Sequence, residues 1–224
     1  MFEIMRGLFH SSFGIAGFFL IWIWFLSIGY CGGVMFSVIA LVVFFEFWRS
    51  WLDRREQSGH KSFWIRFNHY VIRPIVRKEE LGKSSTVLYY AYGFVLAWFI
   101  WLIGDTADLD FRYIVSLICL FSAFVDPLAK IGKLSPDRWR FKKTQIKHKS
   151  WLGTACAGVG AIFAIWLLVY SNSRLSFGFR HYLVFFVGLT TSVLSELYGG
   201  KKDNFFIPAL SMIAMTIAHV LFVV

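Results

Sequence analysis

Four places in the chain carry side chains that phosphoryl chemistry uses: Asp126, Lys149, Glu196 and the adjacent pair Asp203-Asn204. Each stands where an apolar run meets a polar segment. Ionisable residues at the boundary of membrane-length apolar helices are costly and mark candidate sites. Carboxylates facing a basic segment suit one ligand in particular. Mg²⁺ takes oxygen ligands and is usually held by one or two carboxylates plus substrate phosphates. Lysines then neutralise the remaining phosphate charge, and cations stabilise a transferring phosphoryl group. The basic segment is 126–154. It holds eight of the 23 Lys and Arg residues: Lys130, Lys133, Arg138, Arg140, Lys142, Lys143, Lys147 and Lys149. It is expected to bind the phosphates of a nucleotide at the cytoplasmic face of a membrane enzyme. Asp126-Pro127 reads as a helix N-cap followed by proline at the first helical position. A short helix is therefore expected to start there, with its amide end turned to phosphate.

The elements that must position these groups are membrane helices. Of the 224 residues, 58% are hydrophobic and 20% aromatic against 16% charged, and mean hydropathy is +0.62. Apolar runs recur at the length a helix needs to cross a hydrocarbon core about 30 Å thick. The expected fold is all-α, a polytopic bundle of about seven spans forming a single integral-membrane domain over 1–224, with a catalytic region at 126–208. The spans are expected at 13–30 (ending at Gly32-Gly33), 34–47, 86–103, 113–125 (short for a full crossing), 151–170, 182–198 and 205–224. The apolar run after Arg6 has no small-residue cleavage site behind it and is counted as a first span, not a signal peptide. Between spans 2 and 3, basic residues alternate with Phe63, Trp64, Ile65, Phe67, Val71 and Ile72, which predicts an amphipathic helix in the headgroup plane, ended or kinked by Pro74.

With the N-terminus inside, the inner segments hold 20 of the basic residues and the outer ones only Arg112, Arg174 and Arg180. That asymmetry predicts a cytoplasmic N-terminus and explains the net charge of +10 without nucleic acid as a partner. Cys31, Cys119 and Cys156 share no ligand-like spacing, so neither a disulfide framework nor a zinc site is expected. The six histidines are scattered and read as structural. Glu46 is placed to pair with Arg49 one turn on, and Asp105, Asp108 and Asp110 read as a solvated external turn. No lipase elbow, Walker loop, Rossmann fingerprint or HExxH helix is present.

Several of these residues fall into ordered blocks. Asp126 with Ala129 and Gly132, then Lys149-Ser150 with Gly153-Thr154, then Glu196 followed by Asp203-Asn204 and Pro208, resemble the CTP-dependent lipid kinases, the family of dolichol, polyprenol and phytol kinases and a yeast-type diacylglycerol kinase. The stretch Arg77–Glu80 resembles an upstream block, in which Arg77, Glu79 and Glu80 would be accessory. The resemblance implies a multi-pass membrane enzyme that moves the γ-phosphate of CTP to the hydroxyl of a membrane lipid alcohol with Mg²⁺ or another divalent cation. It implies Asp126, Glu196 and Asp203 as catalytic residues, with Asp126 and Asp203 as metal or phosphate ligands. Lys149, Ser150, Gly153, Thr154, Lys130, Gly132 and Asn204 would bind the nucleotide on the cytoplasmic side. The chain departs from the family pattern at Val125, at Gly132, which comes one residue early, and at Trp151-Leu152. Two other readings are a related cytidylyltransferase that makes a CDP-lipid, and a non-catalytic carrier or anion- and lipid-binding membrane protein. The His-Gly-Gly signature of the cytidylyltransferases is absent. The spans are clean at mid-membrane and charged at one end, unlike the broken helices of transporters.

Overall fold

The computed structural model describes residues 11–12, 14–19, 21, 28–72, 86–107, 109–133, 150–171, 177–199 and 203–224. The expected site residues Lys149, Arg77, Glu79 and Glu80, the basic stretch 134–149 and the side chain of Asp203 lie outside the described residues. The described chain is helical and contains no strand. In order, the helices are α1 (Ile28–Gln57), α2 (Phe63–Phe67, continuing as a π-helical turn Asn68–Ile72), α3 (Thr86–Thr106), α4 (Arg112–Lys133), α5 (Trp151–Ser171), α6 (Phe179–Gly199) and α7 (Asp203–Phe222). Helices α4 to α7 are long and apolar enough to cross a membrane, and α3 contributes a shorter apolar stretch, Ala91–Thr106. Large apolar side chains cover their outer faces, among them Ile162 and Trp166 on α5, Phe186 on α6 and Ile217 and Leu221 on α7. Such surfaces belong in lipid, and the protein is a membrane protein.

The hub is α4. Its most apolar stretch is 72% buried, against 33–44% for α5, α6 and α7. Ile114, Leu117, Ile118, Leu120, Phe121 and Val125 have no accessible surface. Helix α5 packs along α4, α6 pairs with α7, and α7 also touches α3 and α4. The α4–α5 seam is built from small residues: α5 buries Gly153, Ala157, Gly160, Ala161 and Ala164. A Cβ at Gly132 would lie 2.6 Å from Gly153 Cα and 2.7 Å from Leu152 O, so the two backbones touch. In lipid, where apolar surface gains nothing by leaving the bilayer, such close approach is what holds helices together.

Two expected breaks are corrected. Helix α4 does not stop at Val125 with a second helix capped by Asp126; it runs unbroken to Lys133 with Pro127 inside it. Proline at 127 has no N–H to give the carbonyl of Ala123, four residues earlier. The hydroxyl of Ser11 donates to that carbonyl at 2.7 Å, so a neighbouring segment repairs the missing bond. Likewise Gly32-Gly33 does not end a span, because α1 passes through both glycines. A mid-helix glycine costs about 1 kcal/mol against alanine, which a 30-residue helix absorbs. Residues 48–57, expected in a headgroup-plane helix, are instead the end of α1. That helix stops in a Schellman turn, with His60 N–H bonding Arg55 O at 3.1 Å, Gly59 N–H bonding Glu56 O at 3.0 Å and Gly59 at φ +81°. Among the described residues α2 is what remains of the expected amphipathic element; Pro74 and the rest of 73–85 lie outside them.

Candidate functional site

Helices α4 to α7 alternate in direction, so both ends of the bundle can be read from side-chain contacts. At one end Tyr113 shares a 2.5 Å hydrogen bond with His219 Nδ1 and packs against His181, at 5.6 Å between ring centroids. At the other, the basic end, Gly132 meets Gly153. Between them lies a three-helix junction of Phe121, Gly188 and Met215. A Cβ at Gly188 would collide with Met215 Sδ and lie 3.0 Å from Phe121 Cε2.

From this junction toward the basic end, the inward face of each helix turns polar. On α4 come Ser122 and Asp126. On α6, Ser192, Ser195 and Glu196 follow Gly188 at four, seven and eight residues, the spacing of one helix face. On α7, Ser211 and Asn204 precede Met215 at four and eleven residues on the same face. All seven are buried, none more than 4% exposed. Toward the opposite end the interior is apolar (Leu117, Ile118, Val184 and Phe185) until Tyr113 and His219. The structure thus brings Asp126, Glu196 and Asn204 from three helices to one end of the bundle, on buried faces, and the backbone of Asp203 opens α7 at that end.

Asp126 has a cationic partner: Lys130, one turn on, donates to Asp126 Oδ2, and both side chains are nearly enclosed. A lysine held against a carboxylate at the basic end of a bundle can pass to a phosphate when one arrives. Ser150, Gly153 and Thr154 are engaged locally. The Ser150 hydroxyl donates to Gly132 O at 3.3 Å and accepts from Gly153 N–H at 2.9 Å, which makes it the N-cap of α5. Thr154 N–H donates to Ser150 O at 3.0 Å. In this structure these residues and Gly132 join α5 to α4 beside the site.

Sequence reasoning saw only part of a second buried polar cluster. Glu46 pairs with Arg49 as expected, at 2.9 Å. Arg49 also bonds Asp53 at 3.0 Å, and Asn68 Nδ2 of α2 reaches Asp53 Oδ1 at 2.7 Å. Arg49, Asp53 and Asn68 are at most 1% exposed. The spacing 46–49–53 is a helix face, so the intrahelical part was available in the sequence; Asn68 enters only through the α1–α2 turn. The cluster fixes a hairpin whose outer edge carries exposed Trp51, Phe63, Trp64 and Tyr70, with the Arg55 guanidinium 4.4 Å from the Trp51 ring centre. The seven-residue polar lining beyond the junction was half missed as well, since its serines are invisible to any hydropathy window.

Among the described residues, no three His, Cys, Asp or Glu side chains stand close enough together to hold a metal ion. Cys119 and Cys156 are free thiols. Comparison with known proteins gives no match: no family model, curated protein or solved structure is similar to the chain.

Proposed function

We propose that this chain is a membrane lipid kinase that transfers the γ-phosphate of CTP to the hydroxyl of a lipid alcohol of the polyprenol, dolichol, phytol or diacylglycerol type. The observation that carries this reading is the burial of Asp126, Glu196 and Asn204 toward the same, basic end of α4, α6 and α7. Buried carboxylates in a membrane bundle are expensive, and carboxylates at the end of the bundle that the basic segments link suit a nucleotide–cation pair. The orientation follows the charge. The segments 134–149 and 200–202, which link helices at this end, are rich in Lys and Arg, which supports a cytoplasmic site within a seven-span, N-inside topology.

The donor set fits Mg²⁺. Asp126 and Asp203 would offer hard oxygen atoms, and two carboxylates completed by substrate phosphates are the usual magnesium complement. When bound, the cation neutralises phosphate charge during transfer. The chain's own groups do the rest. Lys130, with Lys149 and the basic segment, binds the phosphates, and Asn204 offers an amide to the same end. The alkyl chain of the acceptor lies against the apolar helices, which orients its hydroxyl toward the carboxylates. The hydroxyl oxygen bonds to the γ-phosphorus, the bond from phosphorus to the β-phosphate oxygen breaks, and CDP leaves. The hydroxyl proton passes to a carboxylate, Asp126 or Glu196.

The test is to incubate purified protein with γ-labelled CTP, Mg²⁺ and a panel of polyprenols, phytol and diacylglycerol. Label is expected in the organic phase as a lipid monophosphate. Asp126→Asn and Asp203→Asn are expected to lower turnover at least about a hundredfold, the scale of losing one electrostatic contact to the transition state, with helicity unchanged. Full turnover in both variants, or a CDP-lipid product, would sink the proposal.

A further inference from the structure

Hydroxyls inside this bundle have a habit that three serines break. A serine or threonine buried in an apolar helix ordinarily returns its proton to a carbonyl one turn earlier. Ser116 does so to Arg112 O at 2.8 Å and the part-buried Thr191 to Val187 O at 2.7 Å. Ser192 bonds Leu189 O at 2.9 Å. Thr216, one residue past Met215 toward the opposite end, has no hydrogen-bond partner, and neither do the hydroxyls of Ser122, Ser195 and Ser211. The three serines are almost wholly buried, at 1%, 4% and 0% exposure. An unmet buried hydroxyl is costly, and the helix offers each of them a cheaper rotamer.

Their placement gives the exception a meaning. All three are buried on different helices on the basic-end side of the junction, one, seven and four residues from Phe121, Gly188 and Met215. Ser122 is one turn from Asp126, Ser195 is next to Glu196, and Ser211 is two turns from Asn204. The three hydroxyls belong to three helices that pack on one another, on the side of the junction that also carries the buried carboxylates. We propose that they line a hydrated chamber that receives the hydroxyl-bearing head of the lipid acceptor, with Ser122, Ser195 and Ser211 as its binding residues. This rests on the kinase reading for the identity of the occupant. Neutral hydroxyls suit it: each can donate to and accept from an alcohol, whereas a cation or amide lining would favour an anion. The junction sets the depth to which the head can sink, and the carboxylates lie between the chamber and the basic end, where phosphate arrives.

The experiment separates the chamber from the kinase. In full-length protein with Cys31, Cys119 and Cys156 replaced, single cysteines are placed by Ser122→Cys, Ser195→Cys, Ser211→Cys and, beyond the junction, Leu117→Cys and Ile118→Cys. Each is reacted in membranes with a small polar methanethiosulfonate, which needs a hydrated thiolate. The three chamber positions are expected to react at least about tenfold faster than 117 or 118, and added phytol or a short prenol is expected to slow them. Equal rates overturn the chamber whatever the enzyme activity. Fast labelling without lipid phosphorylation by the wild type overturns the kinase reading and leaves a hydrated chamber. With both in place, Ser122→Ala, Ser195→Ala and Ser211→Ala should each raise the KM for the lipid about tenfold, the worth of one well-made hydrogen bond, and leave the KM for CTP unchanged. An unchanged lipid KM in all three refutes the binding role. The alanine variants remove unmet hydroxyls, so each is expected to melt no lower than wild type.

Discussion

Replacing Arg49 by leucine should destabilise the protein more than any other single change in α1. Its guanidinium is 1% exposed and lies 2.9 Å from Glu46 and 3.0 Å from Asp53, whose side chains are 7% and 1% exposed. Leucine removes the cation and leaves its two carboxylates buried. Breaking a buried ion pair from one side costs about 3–5 kcal/mol, because the desolvation of the survivor is no longer offset. For a chain of this size, 1 kcal/mol moves the melting temperature by about 2–4 °C, so Arg49→Leu should melt roughly 6–20 °C below wild type in detergent. The triple change Glu46→Gln, Arg49→Met, Asp53→Asn removes all three charges and keeps an acceptor for Asn68. It should recover most of that loss, since replacing a whole buried ionic group by neutral residues is often close to neutral. The measurement is thermal unfolding by circular dichroism. A single variant within about 2 °C of wild type, or a triple variant that falls as far as the single, would show that charge compensation is not what this cluster supplies.

Two further predictions test packing. Ser11→Ala strips the donor from the Ala123 carbonyl and should cost about 1 kcal/mol in thermal unfolding. In a Pro127→Ala background, where the helix supplies its own N–H, that cost should largely vanish; an unchanged cost would mean the hydroxyl does not stand in for the missing amide. Gly188→Ala should cost about 1–3 kcal/mol by overpacking against Met215 and Phe121, and Met215→Ala in the same chain should relieve part of it. If Gly188→Ala is silent, the junction is looser than its geometry states.

Much of the fold was legible. The starts and ends of α3, α5, α6 and α7 fall within a few residues of the apolar runs in the sequence, because charged, glycine-bearing sequence such as 199–202 is costly to bury. Asp126, Glu196 and Asn204 were legible as candidates from their place at the ends of those runs. What failed were breaks inferred from single residues. Pro127 signals the start of a helix only if nothing else can satisfy Ala123, and Ser11, more than a hundred positions away, can. Gly32-Gly33 signals a turn only if the flanking chain has somewhere better to go. The part of the site least visible beforehand was the serines, since a small hydroxyl in an apolar run looks like any other helix residue until its burial and partners are seen.

The junction of Phe121, Gly188 and Met215 also bears on how such a protein lives in an energised membrane. A hollow that admits solvent from one side shortens the insulating path by its own depth, and protons travel readily along files of water. What remains is the close-packed stretch from the junction to Tyr113, where Leu117, Ile118 and Phe185 leave no room for a file to continue. With the proposed chamber filled by water, that stretch would be the dielectric barrier of the molecule, and loosening it would be felt first as leak rather than as lost folding.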